Sequence, residues 1–284
     1  MYKLFNNILI PVDSSVASDK LVEKGIEIAN SYFCHIHLLY CVSRNVKSQA
    51  LAKIKNIFSF TKNRQEEKSV QKLKNIASAF QSKLKNGLNI FFHSENGNKN
   101  EIAIKYIIQN KIDLVLGMIR PQRIKWNTLC FDATRIVEKT SAAVITLPEN
   151  RHIARLYSIV IPVTDFIPLR KLMYGIYLTR YYNITFHLLG ITRELDSEFT
   201  ERVQKYLHRS YQLIRDNCNA TVDLIEYAGA NAAAVIKKFV SDNHTDLIIV
   251  NPGEKSRLKN NTSGWFTNIL QKNNYTSVLT ISDT

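Results

Sequence analysis

Residues 6–15 read NNILIPVDSS, and residues 157–166 read YSIVIPVTDF. Each is a short, nearly continuous apolar run, the pattern required of a parallel strand covered on both faces. Three further pairs of runs keep the same order along the chain: HIHLLYCV (35–42) with ITFHLLGI (184–191), KIDLVLGM (111–118) with HTDLIIVN (244–251), and SAAVITL (141–147) with YTSVLTI (275–281). Internal matches that keep their order mark a duplicated unit. Two α/β domains of one fold are therefore expected in tandem, over residues 1–148 and 149–284, with the join near 148–156.

Helical periodicity fills the gaps between these runs. Ala17, Leu21, Val22, Gly25, Ile28 and Ala29 form one apolar stripe, and Ala232, Val235, Ile236, Phe239 and Val240 form another. Each half is predicted as β-α-β-α-β-α-β-α-β: a Rossmann-like, five-stranded parallel sheet with helices on both faces and right-handed crossovers. The halves differ in one place. Asp113 follows His37 by 76 residues, whereas Asp246 follows His187 by only 59. The surplus falls at about residues 43–67, a lysine- and arginine-rich stretch with Leu51, Ile54, Ile57 and Phe58 at helical spacing. A helix or lid packed on its own domain is the simpler reading; a basic amphipathic helix touching a membrane surface or a partner is the other.

At 284 residues and 45% hydrophobic composition the chain can bury two ordinary cores. No window holds eighteen consecutive apolar residues, and MYKLFNNILIPVD lacks the parts of a secretory signal, so a cytoplasmic location is expected. Cys34, Cys41, Cys130 and Cys218 show neither zinc-site spacing nor the density of a disulfide framework, and read as buried thiols. The formal charge of +14 could attract nucleic acid, but no groove-reading motif accompanies it and lysine is abundant throughout.

Two tandem α/β halves that open ILIPVD and IVIPVT and continue HLLYCV and HLLGI resemble the universal stress protein family in its tandem form, from about Asn6 to Ile281. The resemblance implies an adenine-nucleotide α-hydrolase-like fold and, in one branch of the family, ATP held outside the carboxyl ends of the strands. Pro11, Asp13 and the backbone of Cys41 match the adenosine end in the first half; Pro162 and Ile191 match it in the second, where Thr164 replaces the aspartate. Asp13 has two readings there, a partner for ribose or base and a cap for the following helix.

The family's phosphate loop, G-x2-G-x9-G-[S/T], is eroded in both halves. Its glycine positions fall near Met118, Pro121 and Phe131 in the first half, or at Gly117, Arg120 and Cys130 one residue earlier. The second half has Asn251, Glu254 and Gly264, then Trp265 in place of a small hydroxyl residue; Gly253 enters only if the loop slips by one. Side chains there keep backbone N–H groups away from an anion. A Glu254 carboxylate about 4 Å from a phosphate charge costs about 4 kcal/mol at an effective dielectric near 20. Lys255, Arg257 and Lys259 in the second half, and Arg120, Arg123 and Lys125 in the first, supply charge without a preorganised cradle. No cofactor is expected on this reading, and ATP or another adenine nucleotide is the alternative.

Other constellations are thinner. His35, His37 and Cys41 share one face of a strand, but Cys41 is about 13 Å from His37 at strand rise, so no metal site is assigned. Ser14 and Ser15 beside Asp13 have no histidine assigned to them, so no catalytic residue is named. Trp126 and Trp265 follow the fourth strands, where packing on the sheet is commoner than stacking on a base. The expectation is a non-catalytic stress-response protein acting through protein contacts or as a small-ligand sensor, with a nucleotide-binding switch as the alternative. Its halves should pair about a pseudo-twofold axis through their last apolar runs, with a homodimer and an unknown protein as further partners.

Overall fold

The structure, a computed structural model, describes residues 3–13, 15–42, 70–119, 131–149, 156–194, 196–229, 232–252 and 276–282. The first repeat supplies β1 (Asn7–Val12), α1 (Val16–Tyr32), β2 (His35–Val42), a helix α2 over residues 70–81, β3 (Ile90–Asn96), α3 (Lys99–Gln109), β4 (Leu114–Ile119), α4 (Ala133–Lys139) and β5 (Ala143–Pro148). The second supplies β6 (Ser158–Val163), α5 (Leu169–Leu178), β7 (Thr185–Thr192), α6 (Ser197–Asn217), β8 (Thr221–Ala228), α7 (Ala232–Asp242), β9 (Leu247–Val250) and β10 (Ser277–Thr280). All eight matched runs are strands, and the fold is α/β with a mostly parallel sheet.

Packing divides the chain into two units, Met1–Met118 with Ile124–Ala142 and Ile119–Arg123 with Ala143–Thr284. In the first the strand order is β3-β2-β1-β4, all parallel. In the second it is β8-β7-β6-β9-β10-β5, parallel from β8 to β10. There β5 runs antiparallel to β10, with Thr146 opposite Val278 and Val144 opposite Thr280. Both of these strands are buried throughout, so two apolar edges that water would otherwise meet are covered.

The central strands are apolar on both sides because both sides are packed. Ile8, Leu9 and Ile10 are all fully buried, as are Ile159, Val160 and Ile161. On one face of the second unit Ile248 and Val250 join Ala232, Ile236, Phe239 and Val240 of α7. The opposite face meets α5, where Gly175 lets the helix approach Ile161 and Phe186; in the first unit Gly25 of α1 does the same over Ile10 and Leu116. The edge strands β3 and β8 belong to none of the matched pairs, and they carry exposed Phe91, Phe92 and Leu224.

One aspartate per unit fixes the start of the first strand. Asp113, just before β4, accepts from the backbone N–H of Asn6 at 2.8 Å and of Asn7 at 3.1 Å. Asp246, just before β9, accepts from Tyr157 N at 2.7 Å and Ser158 N at 2.9 Å. The repeated Asp-Leu of the sequence is thus a clip between neighbouring parallel strands. The cysteines need a correction: Cys34 is buried and donates to Phe5 O at 3.2 Å, but Cys41 and Cys218 are only half-buried. Strand ends and a helix terminus give them partial access that hydrophobicity alone did not signal. Cys130 lies outside the described residues. Among the described residues no helix is long and apolar enough to cross a membrane.

Candidate functional site

Strand order reverses beside the first strand of each unit. β1 lies between β2 and β4, and β6 between β7 and β9. Helices leave such neighbours on opposite faces, so a crevice opens outside their carboxyl ends. The pairings Val12↔Tyr40 and Val163↔Gly190, carried on by one residue, bring Asp13 level with Cys41 and Thr164 level with Ile191. The residues matched to the adenosine end therefore converge within each unit.

Asp13 is engaged by its own helix. Its Oδ1 accepts from Ser15 N at 2.8 Å, from Ser18 Oγ at 2.8 Å and from Ser15 Oγ. Ser18 Oγ in turn accepts from Asp13 N at 2.8 Å. Ser15, the N-cap of α1, makes no side-chain cap bond of its own, so Asp13 takes over the task of ordering that helix start. Of the two roles open in the sequence, the geometry displays the capping one. Pro11 and Pro162 sit one residue before the ends of β1 and β6, where a missing N–H disturbs the ladder least. Burial first, and the Glu95 charge second, push the Cys41 thiol up to about 12 against the pull of Lys99, so it stays protonated and a poor nucleophile. Ile191 is buried on β7 beside Tyr227 of β8.

Buried side chains stand at the first loop position in the second unit and, in the register that begins at Met118 rather than at Gly117, in the first. Met118 of β4, three residues beyond the last β1–β4 pairing at Leu9↔Val115, is fully buried. Asn251, three residues beyond the last β6–β9 pairing at Val160↔Ile248, is 6% exposed, and its Oδ1 has no hydrogen-bond partner. Arg120, Gly253 and Gly264 lie outside the described residues, as do Pro121, Arg123, Lys125, Trp126, Glu254, Lys255, Arg257, Lys259, Trp265 and the stretch 43–67.

Sequence reading missed Lys171 of α5. It is fully buried, and its Nζ donates to Pro162 O at 2.9 Å, at the carboxyl end of β6. The signal was available: Lys171 stands four residues before Gly175, just as the apolar Leu21 stands four before Gly25.

The histidines form packing contacts rather than a ligand set. His37 Nδ1 lies 3.0 Å from Tyr106 Oη, and its ring lies 4.9 Å from that of Phe91. Burial, with a smaller push from His35, lowers its pKa to about 4. His93 stacks on Tyr106 and lies 3.1 Å from Glu95 Oε2. His187 Nδ1 stands 3.1 Å from Asp223 Oδ2, at ion-pair range without hydrogen-bond alignment, and burial lowers its pKa against the pull of that carboxylate. Among the described residues no group of three or more His, Cys, Asp and Glu is placed to hold a metal ion.

Residues 4–123 match the model of the universal stress protein family, so the first half carries a domain of that family. No curated protein matches the sequence. A universal stress protein from Archaeoglobus fulgidus shares the fold along nearly the whole length, with a TM-score of 0.67 at 15% identity over 98% of both chains. A candidate universal stress protein from Pseudomonas aeruginosa gives 0.61 at 15% identity over 98% of this chain and 93% of its own. A protein of unknown function from the same species gives 0.57 at 14% identity over 98% and 92%. Those likenesses extend the tandem fold to the second half.

Proposed function

We propose that this chain, whose residues 4–123 are a universal stress protein domain, is a non-catalytic cytoplasmic stress-response protein that acts through protein contacts or by sensing a small ligand, and that holds no ATP in the glycine-loop manner. The observation that carries the reading is the pair of buried side chains, Met118 and Asn251, at the strand ends where bare backbone would have to meet a polyphosphate. A Cβ and its substituents at such a bend hold the main-chain amides away from phosphate oxygens, and the favourable contacts of the cradle are lost. The bonds that Asp13 Oδ1 accepts from Ser15 and Ser18 support it from the adenosine side, because they tie that oxygen to the start of α1.

Calorimetry on the full chain with ATP, AMP and adenosine tests this. ATP and adenosine are expected to bind equally weakly, with no ATP hydrolysis above that of buffer. ATP binding tighter than about 10 µM, roughly 7 kcal/mol of affinity, would install the adenine-nucleotide switch instead.

A further inference from the structure

We infer that the outer face of α5 is a docking surface for a short amphipathic helix of another protein, one whose apolar stripe is bordered by acidic residues. This rests on the protein-contact form of the proposed function and names the surface that form would use.

The face is unusual for a helix that covers a sheet. At about 100° of rotation per residue, positions 169, 173, 176 and 180 fall on one line along α5. The helix buries the other side, through Lys171, Leu172, Gly175 and Leu178, so this line points outward. It reads Leu169, Met173, Ile176 and Arg180. Leu169 is 56% exposed and Met173 53%, and Ile176 is half-buried. Among the described residues, then, three successive apolar side chains meet solvent where a surface helix ordinarily carries charge.

The matching helix of the first unit shows that the fold does not require this. Gly25 and Gly175 stand over Ile10 and Ile161, the same position of the repeated first strand, so α1 and α5 align glycine on glycine. Leu169 then answers to Asp19, and Met173 to Glu23. Both acids are exposed, and Glu23 pairs with Lys83, just after α2, at 3.5 Å. α6, packed beside α5, also turns charge outward, with Glu198, Glu201, Lys205 and Arg209 exposed. Leucine and methionine on the outer line of α5 add nothing to the core of their own unit. What they offer is apolar contact to a second surface.

Charge selects among the surfaces that could cover the line. α5 contains no acid, and Arg170 flanks the line at its amino end. Arg180, one residue past the C-cap Thr179, continues the line, its guanidinium 4.5 Å from the centre of the Tyr177 ring. A second copy would bring arginines together with no acid on either helix, and the formal charge of +14 opposes self-association further. An anionic bilayer would attract the arginines, but a helix at that interface sinks its apolar face about 5–10 Å among the headgroups. α5 is held against its sheet and has only one line of apolar side chains to insert. An acidic amphipathic helix meets both demands. Its apolar residues, spaced by three and four, lie along Leu169, Met173 and Ile176, and its carboxylates face Arg170 and Arg180.

The test is fluorescence anisotropy of the full chain with a labelled synthetic helix whose leucines recur at every third and fourth position between glutamates, and with the same helix carrying lysines for glutamates. The glutamate helix should bind saturably and the lysine helix about tenfold or more weakly. Met173→Gln should weaken the glutamate helix by about tenfold while the free protein melts as wild type does, because an exposed side chain holds no core together. Leu169→Asp, which installs the residue type found on α1, should act alike and serves if the first variant folds poorly. Arg180→Gln should narrow the preference for glutamate over lysine. No saturable binding, equal affinity for the two helices, or wild-type affinity in both Met173→Gln and Leu169→Asp would each overturn it. Vesicles of phosphatidylserine and phosphatidylcholine that bind wild type but not Met173→Gln would overturn it in favour of a membrane, and a dimer that Met173→Gln dissociates would do so in favour of a second copy. Failure of both helices to bind while ATP and adenosine stay weak would remove the docking surface alone and leave the ligand-sensing form of the proposed function. Tight ATP binding with helix docking intact would do the reverse.

Discussion

At the scale of single residues, several buried polar side chains, among them Ser18, Lys171, Ser210, Asp246 and Thr276, are tied to the backbone. Asp246 is 7% exposed and gathers two backbone N–H donors and the Ser158 hydroxyl, whereas half-buried Asp113 gathers two donors. Removing such an acceptor strands its donors as well as losing the bonds. Asp246→Ala is therefore expected to cost about 3 kcal/mol and Asp113→Ala about 1–2 kcal/mol, read from urea midpoints. Equal and negligible shifts would show that the strand starts hold without the clip. His37 gives a pH dependence. Its folded pKa, about 4, lies below the ordinary histidine value because burial penalises the cation. The unfolded chain binds its proton first, so the stability it contributes is full above about pH 6.5 and is lost as pH falls towards 4, on the order of 2–3 kcal/mol. His187, lowered in the same direction, adds to the slope. Urea midpoints measured from pH 7 to pH 4 should fall less steeply in His37→Phe than in wild type; parallel slopes would assign the loss to other groups.

At the scale of elements, helix-to-sheet contact depends on two glycines whose neighbours differ. A Cβ on Gly25 would come 2.3 Å from Ile10 Cδ1, the free end of a flexible side chain. On Gly175 it would come 2.6 Å from Phe186 Cε1, part of a ring fully enclosed by the core. Gly175→Ala is accordingly expected to destabilise by about 2–3 kcal/mol and Gly25→Ala by about 1 kcal/mol, since a ring cannot swing aside as a methyl can. A reversed order in thermal melts would contradict that account. The same elements show what sequence conveys. Ile8 to Val12 and Ile159 to Val163 announced central parallel strands because a strand packed on both faces has no polar position to spare. β3 and β8 gave no such signal: an edge strand half-exposed on both faces, as in Thr221–Ala228, mixes acids, aromatics and aliphatics without a clear period. Lys171 was hidden for a different reason. One lysine in a helix reads as solvent-facing, and only alignment of Gly175 with Gly25 reveals that it replaces a core leucine.

At the scale of the whole molecule, a duplicated fold has kept its framework and let its two crevices diverge. The duplicated runs made the tandem architecture readable, because backbone topology depends on many apolar positions that tolerate exchange. The site was readable only in part. Asp13 could be located but not assigned a role, since one carboxylate can serve a ligand or the helix behind it; its bonds to Ser15 and Ser18 show the capping use. The sequence raises the expectation that the glycine pattern is eroded; it gives no sign that Met118 and Asn251 are buried. The central proposal is that Met118 and Asn251 put side chains at strand ends where main-chain amides would need to enclose a polyphosphate. A crystal structure of the full chain grown with ATP tests it most directly. The account predicts no γ-phosphate enclosed by main-chain amides after β4 or β9, and a well-ordered triphosphate wrapped by those amides in either unit would contradict it.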